Sequence, residues 1–171
     1  MKYCEDCSMC AVGAYKIVDG RRVCGLCRAF HENLITLRMY DYILQEVKKP
    51  CRFCGRIDVK KNFDHVNMFE KEGTVGIMVM QGCPESGLLK EIQKCQILCV
   101  DCHRVVTSYE MRRGFMKKKS ALRRAHGTAE ARAIMAVEYE RVMTGFYRWM
   151  EEKGGEMVLT RYGGLDINLD I

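Results

Sequence analysis

The sequence predicts a small α+β protein in which two compact cysteine-rich units are joined and flanked by long helices. Eleven cysteines recur in Cys-x-x-Cys pairs. A short alternating segment around Asp19-Gly20 predicts a hairpin. Residues 28–48 and 120–152 space their apolar side chains as helices do. The predicted architecture is therefore two small hairpin units with helices between and after them.

The composition bounds the class of protein. A length of 171 residues suits one or two small domains. The hydrophobic fraction of 48% supports a packed core, and the charged fraction of 29%, mixed in sign, argues against a disordered chain. No apolar run approaches the ~20 residues of a membrane span, and "GIMVM" at residues 76–80 is predicted to be a buried strand.

Cysteine usage indicates the cellular compartment. The first ten residues, "MKYCEDCSMC", lack the apolar centre of a signal peptide. The cysteine count is 11, an odd number, which argues against a framework of disulfides. We therefore expect a soluble intracellular protein, cytoplasmic or nuclear, for which a phage or viral origin is one option. In such a compartment, Cys-x-x-Cys pairs are typical zinc ligands.

The first group of cysteines predicts a zinc ribbon over residues 1–29. Two Cys-x-x-Cys turns complete a tetrahedral site. The preferred register joins Cys7 and Cys10 to Cys24 and Cys27, with the segment "AYKIVDGRRVCGLC" as strand, turn, strand and knuckle. The alternative register uses Cys4 with Cys7 and leaves Cys10 spare.

The second group predicts another Cys4 zinc site. Its members are Cys51, Cys54, Cys99 and Cys102. The two knuckles are separated by residues 55–98, which is long for a finger and leaves room for an inserted element. That insert contains Asp64 and His65 in "KNFDHVNMFEK", while His103 directly follows the last knuckle.

These pieces together resemble a known family. In order, "CRFCG", "FDHVN" and "EIQKCQILCVDCHRVVTSYE" resemble the HNH endonucleases whose ββα-metal site is braced by a Cys4 zinc. The resemblance covers residues 50–115. It implies that His65 is the general base and that Asp64 and His103 bind one catalytic Mg²⁺ or Mn²⁺. One departure is that Lys94 stands near the family's middle Asn, so no residue is predicted to orient His65.

The implied chemistry suits these residue types. Hydrolysis of a phosphodiester needs an activated water, and an imidazole with a pKa near 6.5 can accept its proton. A divalent ion held by a carboxylate and an imidazole keeps open positions for phosphate oxygens. The four thiolates of the zinc site leave no open position, so that ion is structural. Nearby Glu91, on a helical stretch, could approach the ion, but the favoured interpretation is a surface pair with Lys94.

The flanking segments complete the predicted organisation. Residues 28–48 read as one helix, giving a linker at 30–49 that Pro50 ends. After the 50–115 domain, Gly114 breaks the helix and a basic helical region covers 116–153, with Thr128 as a fresh N-cap. In the tail at 154–171, the segment "EMVLTRY" from Glu156 is predicted to be a strand that ends at Gly163-Gly164.

The net charge of +6 favours an anionic partner. The densest basic block is predicted to contact a nucleic-acid backbone, and its members are Lys117, Lys118, Lys119, Arg123 and Arg124. The predicted partner is double-stranded DNA. The C-terminal helix and tail are expected to contact a second copy of the chain or another protein. Binding to a membrane is not expected.

The sequence thus favours one function and leaves alternatives. The favoured function is a metal-dependent HNH endonuclease that hydrolyses phosphodiester bonds in DNA, with two structural zinc ions. The alternative is an inactive protein of the same fold that binds DNA or RNA as a structural or assembly subunit. A third reading is a zinc-ribbon transcription or replication factor in which the HNH-like part is only scaffold.

Overall fold

The predicted α+β class is confirmed. The computed structural model describes residues 4–7, 16–124 and 128–159, apart from the side chains of Arg123 and of residues 154–159. Two antiparallel two-stranded sheets, β1–β2 and β3–β4, are combined with helices. In chain order the elements are β1 (Lys16–Val18), β2 (Arg21–Val23), α1 (Gly25–His31), α2 (Leu37–Lys48), β3 (Lys61–His65), α3 (Val75–Met80), α4 (Glu85–Gln93), β4 (Cys95–Cys99), α5 (Val100–Arg112), α6 (Phe115–Arg124) and α7 (Ala129–Leu159).

The predicted first hairpin is present. β1 and β2 pair with Ile17 opposite Arg22. Asp19 and Gly20 both have positive φ, 49° and 75°, which is the backbone of a tight two-residue turn that favours Asp-Gly. The chain then enters a knuckle in which Cys24 caps α1, since its sulfur accepts a hydrogen bond from the amide of Cys27. The hairpin therefore leads directly into the knuckle that carries Cys24 and Cys27.

The single helix predicted over residues 28–48 is wrong. The chain forms α1 and α2, separated by a bend in which Asn33 has a positive φ of 56°. Thr36 begins α2, because its hydroxyl accepts the amide of Met39 at 3.2 Å. The break lets α2 bury Met39, Ile43 and Val47 on one face.

The strand predicted at residues 76–80 is also wrong. This segment is the short helix α3. Val75 and Val79 are four residues apart and 1% exposed, whereas Ile77 between them is 55% exposed. Burial on one helical face, against α1, outweighs the strand propensity of the valines and isoleucine.

The second hairpin and the helix after it form the centre of the molecule. β3 pairs with β4 so that Asp64 lies opposite Gln96 and His65 opposite Cys95. α5 follows β4 without a loop, and Cys99 caps it by accepting from the amide of Cys102 at 3.4 Å. β4, the knuckle that carries Cys99 and Cys102, and α5 are thus continuous.

The hydrophobic interior has two clusters of buried residues. One contains the ribbon knuckle, α2, α3 and α4. The other surrounds the second knuckle with aromatic side chains of α5, α6 and α7, and Tyr109 stacks on Phe146 with ring centroids 4.0 Å apart. The C-terminal helices therefore cover the second knuckle.

α7 agrees only partly with its prediction. Gly114 ends α5 with a φ of 74°, and Thr128 caps α7 by accepting the amide of Ala131, both as predicted. The strand predicted from Glu156 is wrong over residues 156–159, because α7 continues to Leu159. Residues 160–171 lie outside the described residues. No described helix has both the length and the apolar character that crossing a bilayer requires.

Candidate functional site

The first cysteine cluster has the geometry of a tetrahedral metal site. The sulfurs of Cys4, Cys7, Cys24 and Cys27 all lie within 4.8 Å of one another. The Sγ–Sγ distances are 3.7 Å for Cys4–Cys27 and 3.9 Å for Cys7–Cys24. Four sulfurs 2.3 Å from a zinc ion are about 3.8 Å apart. The cluster follows the alternative register, with Cys4; Cys10, from the preferred register, lies outside the described residues.

The second cluster contains the four predicted cysteines. Cys51, Cys54, Cys99 and Cys102 also lie within 4.8 Å of one another, with 3.7 Å between the sulfurs of Cys54 and Cys99. Arg56 donates to the sulfur of Cys99 at 3.2 Å and to Asp101 at 2.6 Å. A cation against the sulfur balances part of the negative charge that four thiolates bring to a zinc ion.

The pKa values of the cysteine thiols in both clusters favour binding of a divalent cation. Hydrogen bonds from Cys27 and Cys7 lower the pKa of Cys24, and those from Cys102 and Cys99 lower the pKa of Cys51. The same contacts raise the pKa of Cys27 and Cys102, so each cluster favours a thiolate bonded by neighbouring thiols. A bound zinc ion would displace the remaining protons. Each tetrad can therefore hold a structural zinc ion.

A cleft lies beside the second tetrad. It has a volume of about 800 Å³ and is bounded by β3, α5, α6 and the segment between β3 and α3. The three residues predicted to be catalytic, Asp64, His65 and His103, all line it. Adjacent strand residues face opposite sides of a sheet, but His65 is the last residue of β3, where both side chains reach one cleft.

Asp64 and His103 meet in this cleft. Oδ1 of Asp64 is 3.3 Å from Nε2 of His103, and Oδ2 accepts from the amide of Gln96 at 2.9 Å. The Gln96 carbonyl oxygen accepts in turn from Arg52 at 2.8 Å, which fixes which end of the amide faces Asp64. One carboxylate oxygen is thus held by Gln96 and the other faces His103.

His65 is oriented by Glu91, which the sequence analysis favoured as a surface residue and did not connect with His65. Oε1 of Glu91 is 2.7 Å from Nε2 of His65 and also accepts the amides of Glu72 and Gly73 at 2.8 and 2.9 Å. Its other oxygen is 3.0 Å from Nζ of Lys94. The predicted surface pair with Lys94 exists, but Glu91 itself is 1% exposed, so its placement on the surface is wrong.

Burial and hydrogen bonding set the charges of these groups. Burial raises the pKa of Glu91, but bonds from Gly73, Lys94, His65 and Glu72 outweigh it and lower the pKa to about 2. Glu91 is therefore an acceptor, and His65 donates from Nε2. Burial lowers the pKa of His65 despite Glu91, so its imidazole is neutral at pH 7. The hydrogen bond to Asp64 raises the pKa of His103.

Part of the predicted basic block is engaged within the chain. Lys118 pairs with Glu138 at 2.6 Å, and Lys119 donates to the carbonyl oxygen of Met68. Lys119 also lines the cleft. Lys117 and Arg124 are exposed, while the side chain of Arg123 lies outside the described residues. The block thus buttresses the cleft as well as facing solvent.

Comparison with known proteins gives no relative. No family model matches the chain, and neither does a curated protein or a solved structure. The class that fold and site define is a small α+β protein with two cysteine tetrads able to hold zinc.

Proposed function

We propose that this protein is a metal-dependent endonuclease of the HNH type, which hydrolyses phosphodiester bonds in DNA. One observation carries the proposal: Asp64, His65 and His103 converge on one cleft, on a β-hairpin and helix braced by a cysteine tetrad. A neutral imidazole, a carboxylate and a second imidazole are the groups that metal-assisted hydrolysis requires.

His65 is the proposed general base. Nε2 is occupied by Glu91, so Nδ1 is the nitrogen left to accept a proton from water. The ionised Glu91 holds the tautomer and stabilises the imidazolium that forms, as a carboxylate does for a catalytic histidine in other hydrolases. Glu91 supplies the orientation for which the sequence offered no residue.

Asp64 and His103 are the proposed ligands of Mg²⁺ or Mn²⁺. Adjacent ligands 2.1 Å from an octahedral ion are about 3.0 Å apart, close to the 3.3 Å between Oδ1 of Asp64 and Nε2 of His103. When bound, the ion would supply positive charge for the phosphate and for the leaving oxygen. His103 binds it in the neutral form, so the proton shared with Asp64 must leave.

Nicking of supercoiled plasmid by the zinc-loaded protein tests the proposal. We expect cleavage when Mg²⁺ or Mn²⁺ is added and none in buffer without either ion, since the zinc tetrads have no open position. Asp64→Asn should lose cleavage while keeping two zinc ions per chain. Absence of cleavage by folded, zinc-loaded wild-type protein on plasmid, single-stranded and branched DNA would contradict the proposal.

One observation favours the second candidate, an inactive protein of this fold that binds DNA or RNA. The His65 side chain is only 5% exposed, so water has restricted access to the base. Under this candidate the wild-type protein would bind nucleic acid. Added Mg²⁺ would not change the affinity, and the nucleic acid would remain uncut. Isothermal titration with Mn²⁺ separates the two, because only the nuclease needs an ion at Asp64 and His103.

Glu91 provides a graded test of the orientation of His65. Glu91→Gln keeps an acceptor oxygen but removes the charge that stabilises the imidazolium, and we expect the nicking rate to fall about tenfold or more. Glu91→Ala removes the acceptor of the partly buried amides of Glu72 and Gly73, at about 0.5–1.5 kcal/mol for each hydrogen bond lost.

Glu85→Gln, at the half-buried start of the same helix, is the matched control, because its carboxylate accepts from Thr36 and lies outside the candidate catalytic cleft. Unchanged nicking by folded Glu91→Gln protein would remove Glu91 from the mechanism. A lower thermal midpoint for Glu91→Ala with a normal one for Glu91→Gln would separate the structural effect from the chemical one.

A further inference from the structure

A second cleft continues from the candidate catalytic cleft towards the zinc ribbon. This ribbon groove has a volume of about 570 Å³ and lies between the ribbon residues Lys16, Gly25 and Arg28 and the β3–α3 part of the core. The two clefts share four lining residues, Phe63, Lys71, Thr74 and His103. A linear polymer bound at Asp64 and His103 can therefore extend directly into the ribbon groove.

The charged side chains that line the ribbon groove are all basic. Among the described residues that line it, there are four Lys or Arg side chains and no Asp or Glu. One of the four, Lys61, donates its ammonium to the carbonyl oxygens of Val47 and Lys49 at 3.1 and 2.6 Å, so it caps α2. Within the described part of the chain, Lys16, Arg28 and Lys71 do not cap a helix in this way, and each can contact a ligand in the groove.

The guanidinium of Arg28 has little contact with solvent and few strong hydrogen bonds or ion pairs. Its side chain is 19% exposed, and its nearest carboxylate, that of Glu32, is 3.8 Å from Nε. Nε is buried without a hydrogen-bond partner in the described part of the chain. Nη2 donates to the sulfur of Met80 at 3.2 Å, and a thioether is a weak acceptor. A guanidinium in this state matches a phosphate, which takes paired hydrogen bonds from its fork.

We propose that the ribbon groove binds the backbone of a single nucleic-acid strand that continues from the cleavage site. Arg28 makes the main phosphate contact, with Lys71 at the junction of the clefts and Lys16 at the far end. The proposal rests on the proposed nuclease function. It names the substrate class: nucleic acid with an unpaired arm next to the scissile bond.

Size and surface favour a single strand over a duplex. A volume of about 570 Å³ is that of a small-molecule pocket, so a double helix can only lie across its rim. Phe63 is half-buried at the junction, and Ile77 is 55% exposed on the groove wall. Such apolar and aromatic surfaces beside a cationic track are typical of single-strand binding, where bases stack and phosphates pair.

Fluorescence anisotropy with the catalytically disabled His65→Gln protein tests this proposal. The probes are a ~12-nucleotide oligothymidylate, within the usual site size, a blunt duplex, and the same duplex with an unpaired arm. We expect Arg28→Gln to weaken binding of the oligothymidylate and of the armed duplex. The slope of log affinity against log salt should fall by about 0.7 for each single-strand phosphate that the variant no longer neutralises. Lys16→Gln should act likewise.

The control is Lys90→Gln, an exposed cation on α4 outside both clefts, which should change no slope. Arg28→Lys keeps the charge but not the fork, so it should keep the salt slope and bind more weakly. Both variants must retain two zinc ions per chain. If Arg28→Gln proves unstable, Arg28→Lys and Lys16→Gln still decide the question.

Two outcomes would overturn the proposal. If Arg28→Gln and Lys16→Gln change neither the affinity nor the salt slope, the strand binds elsewhere. If both variants weaken binding of the blunt duplex as much as binding of the oligothymidylate, the ligand of the groove is a duplex. Plasmid nicking by the wild-type protein is a separate readout, so the nuclease proposal survives either result. A third outcome, failure of the parent protein to bind any of the three probes, would also overturn the single-strand proposal, while plasmid nicking by the wild-type protein still decides the nuclease proposal.

Discussion

Replacing His65 is expected to reduce nicking of supercoiled DNA by about a hundredfold to ten-thousandfold, the usual contribution of a general base. His65→Gln is the sharper variant, because its amide can still donate to Glu91 but has no basic nitrogen. His65→Ala would in addition leave the buried Glu91 carboxylate with one donor fewer, so its loss of activity would mix chemistry with stability.

The matched control for His65 is His31→Gln. His31 is 54% exposed and pairs with Asp6 at 2.7 Å, away from the catalytic cleft. We expect this variant to nick at the wild-type rate. All proteins should carry two zinc ions per chain by elemental analysis. A His65→Gln rate above about a tenth of wild type would contradict its assignment as the base.

Removing one ligand of the second tetrad is expected to unfold the aromatic C-terminal half. The Cys102 side chain is fully buried among the aromatic side chains of α5–α7. Structural zinc contributes about 10–16 kcal/mol in small zinc domains, comparable with the about 5–15 kcal/mol that stabilises a whole domain. We therefore expect Cys102→Ala to carry one zinc ion per chain in place of two and to lose fixed packing around α7.

Trp149, the single tryptophan, reports this loss, since it is half-buried against Phe146 with ring centroids 6.0 Å apart. Its emission should shift to the red in Cys102→Ala. Cys27→Ala, in the ribbon, should also lose one zinc ion but leave the emission of Trp149 unchanged, because the ribbon packs in the other buried cluster. Cys83→Ala, outside both tetrads, should match wild type in both measurements. Two zinc ions in Cys102→Ala would refute the assignment of this tetrad.

Local chemistry made several features predictable from the sequence. The second tetrad followed from the spacing of its two Cys-x-x-Cys turns, because each turn by itself brings two thiols to one point. The first hairpin followed from Asp19-Gly20, since few other pairs adopt positive φ at both positions. Gly114 and Thr128 marked helix boundaries for equally local reasons.

Features that depend on distant parts of the chain were decided only by the tertiary structure. Residues 76–80 have strand propensity, yet packing of Val75 and Val79 on α1 makes them helical. Cys4 and Cys10 have the same spacing from Cys7, on opposite sides of it, so only the fold places Cys4 beside Cys24 and Cys27.

The same holds within the candidate site. Glu91 looks like an exposed helical residue in the sequence, and only the packing of α4 against β4, the partner strand of β3, brings its carboxylate to His65. Gln96 reaches Asp64 because of the strand register, and Arg28 lines the ribbon groove because α1 packs on α3. The sequence alone determined which atoms are available for metal binding and catalysis. The tertiary structure decided which buried partners orient them, because those contacts join residues that no spacing rule connects.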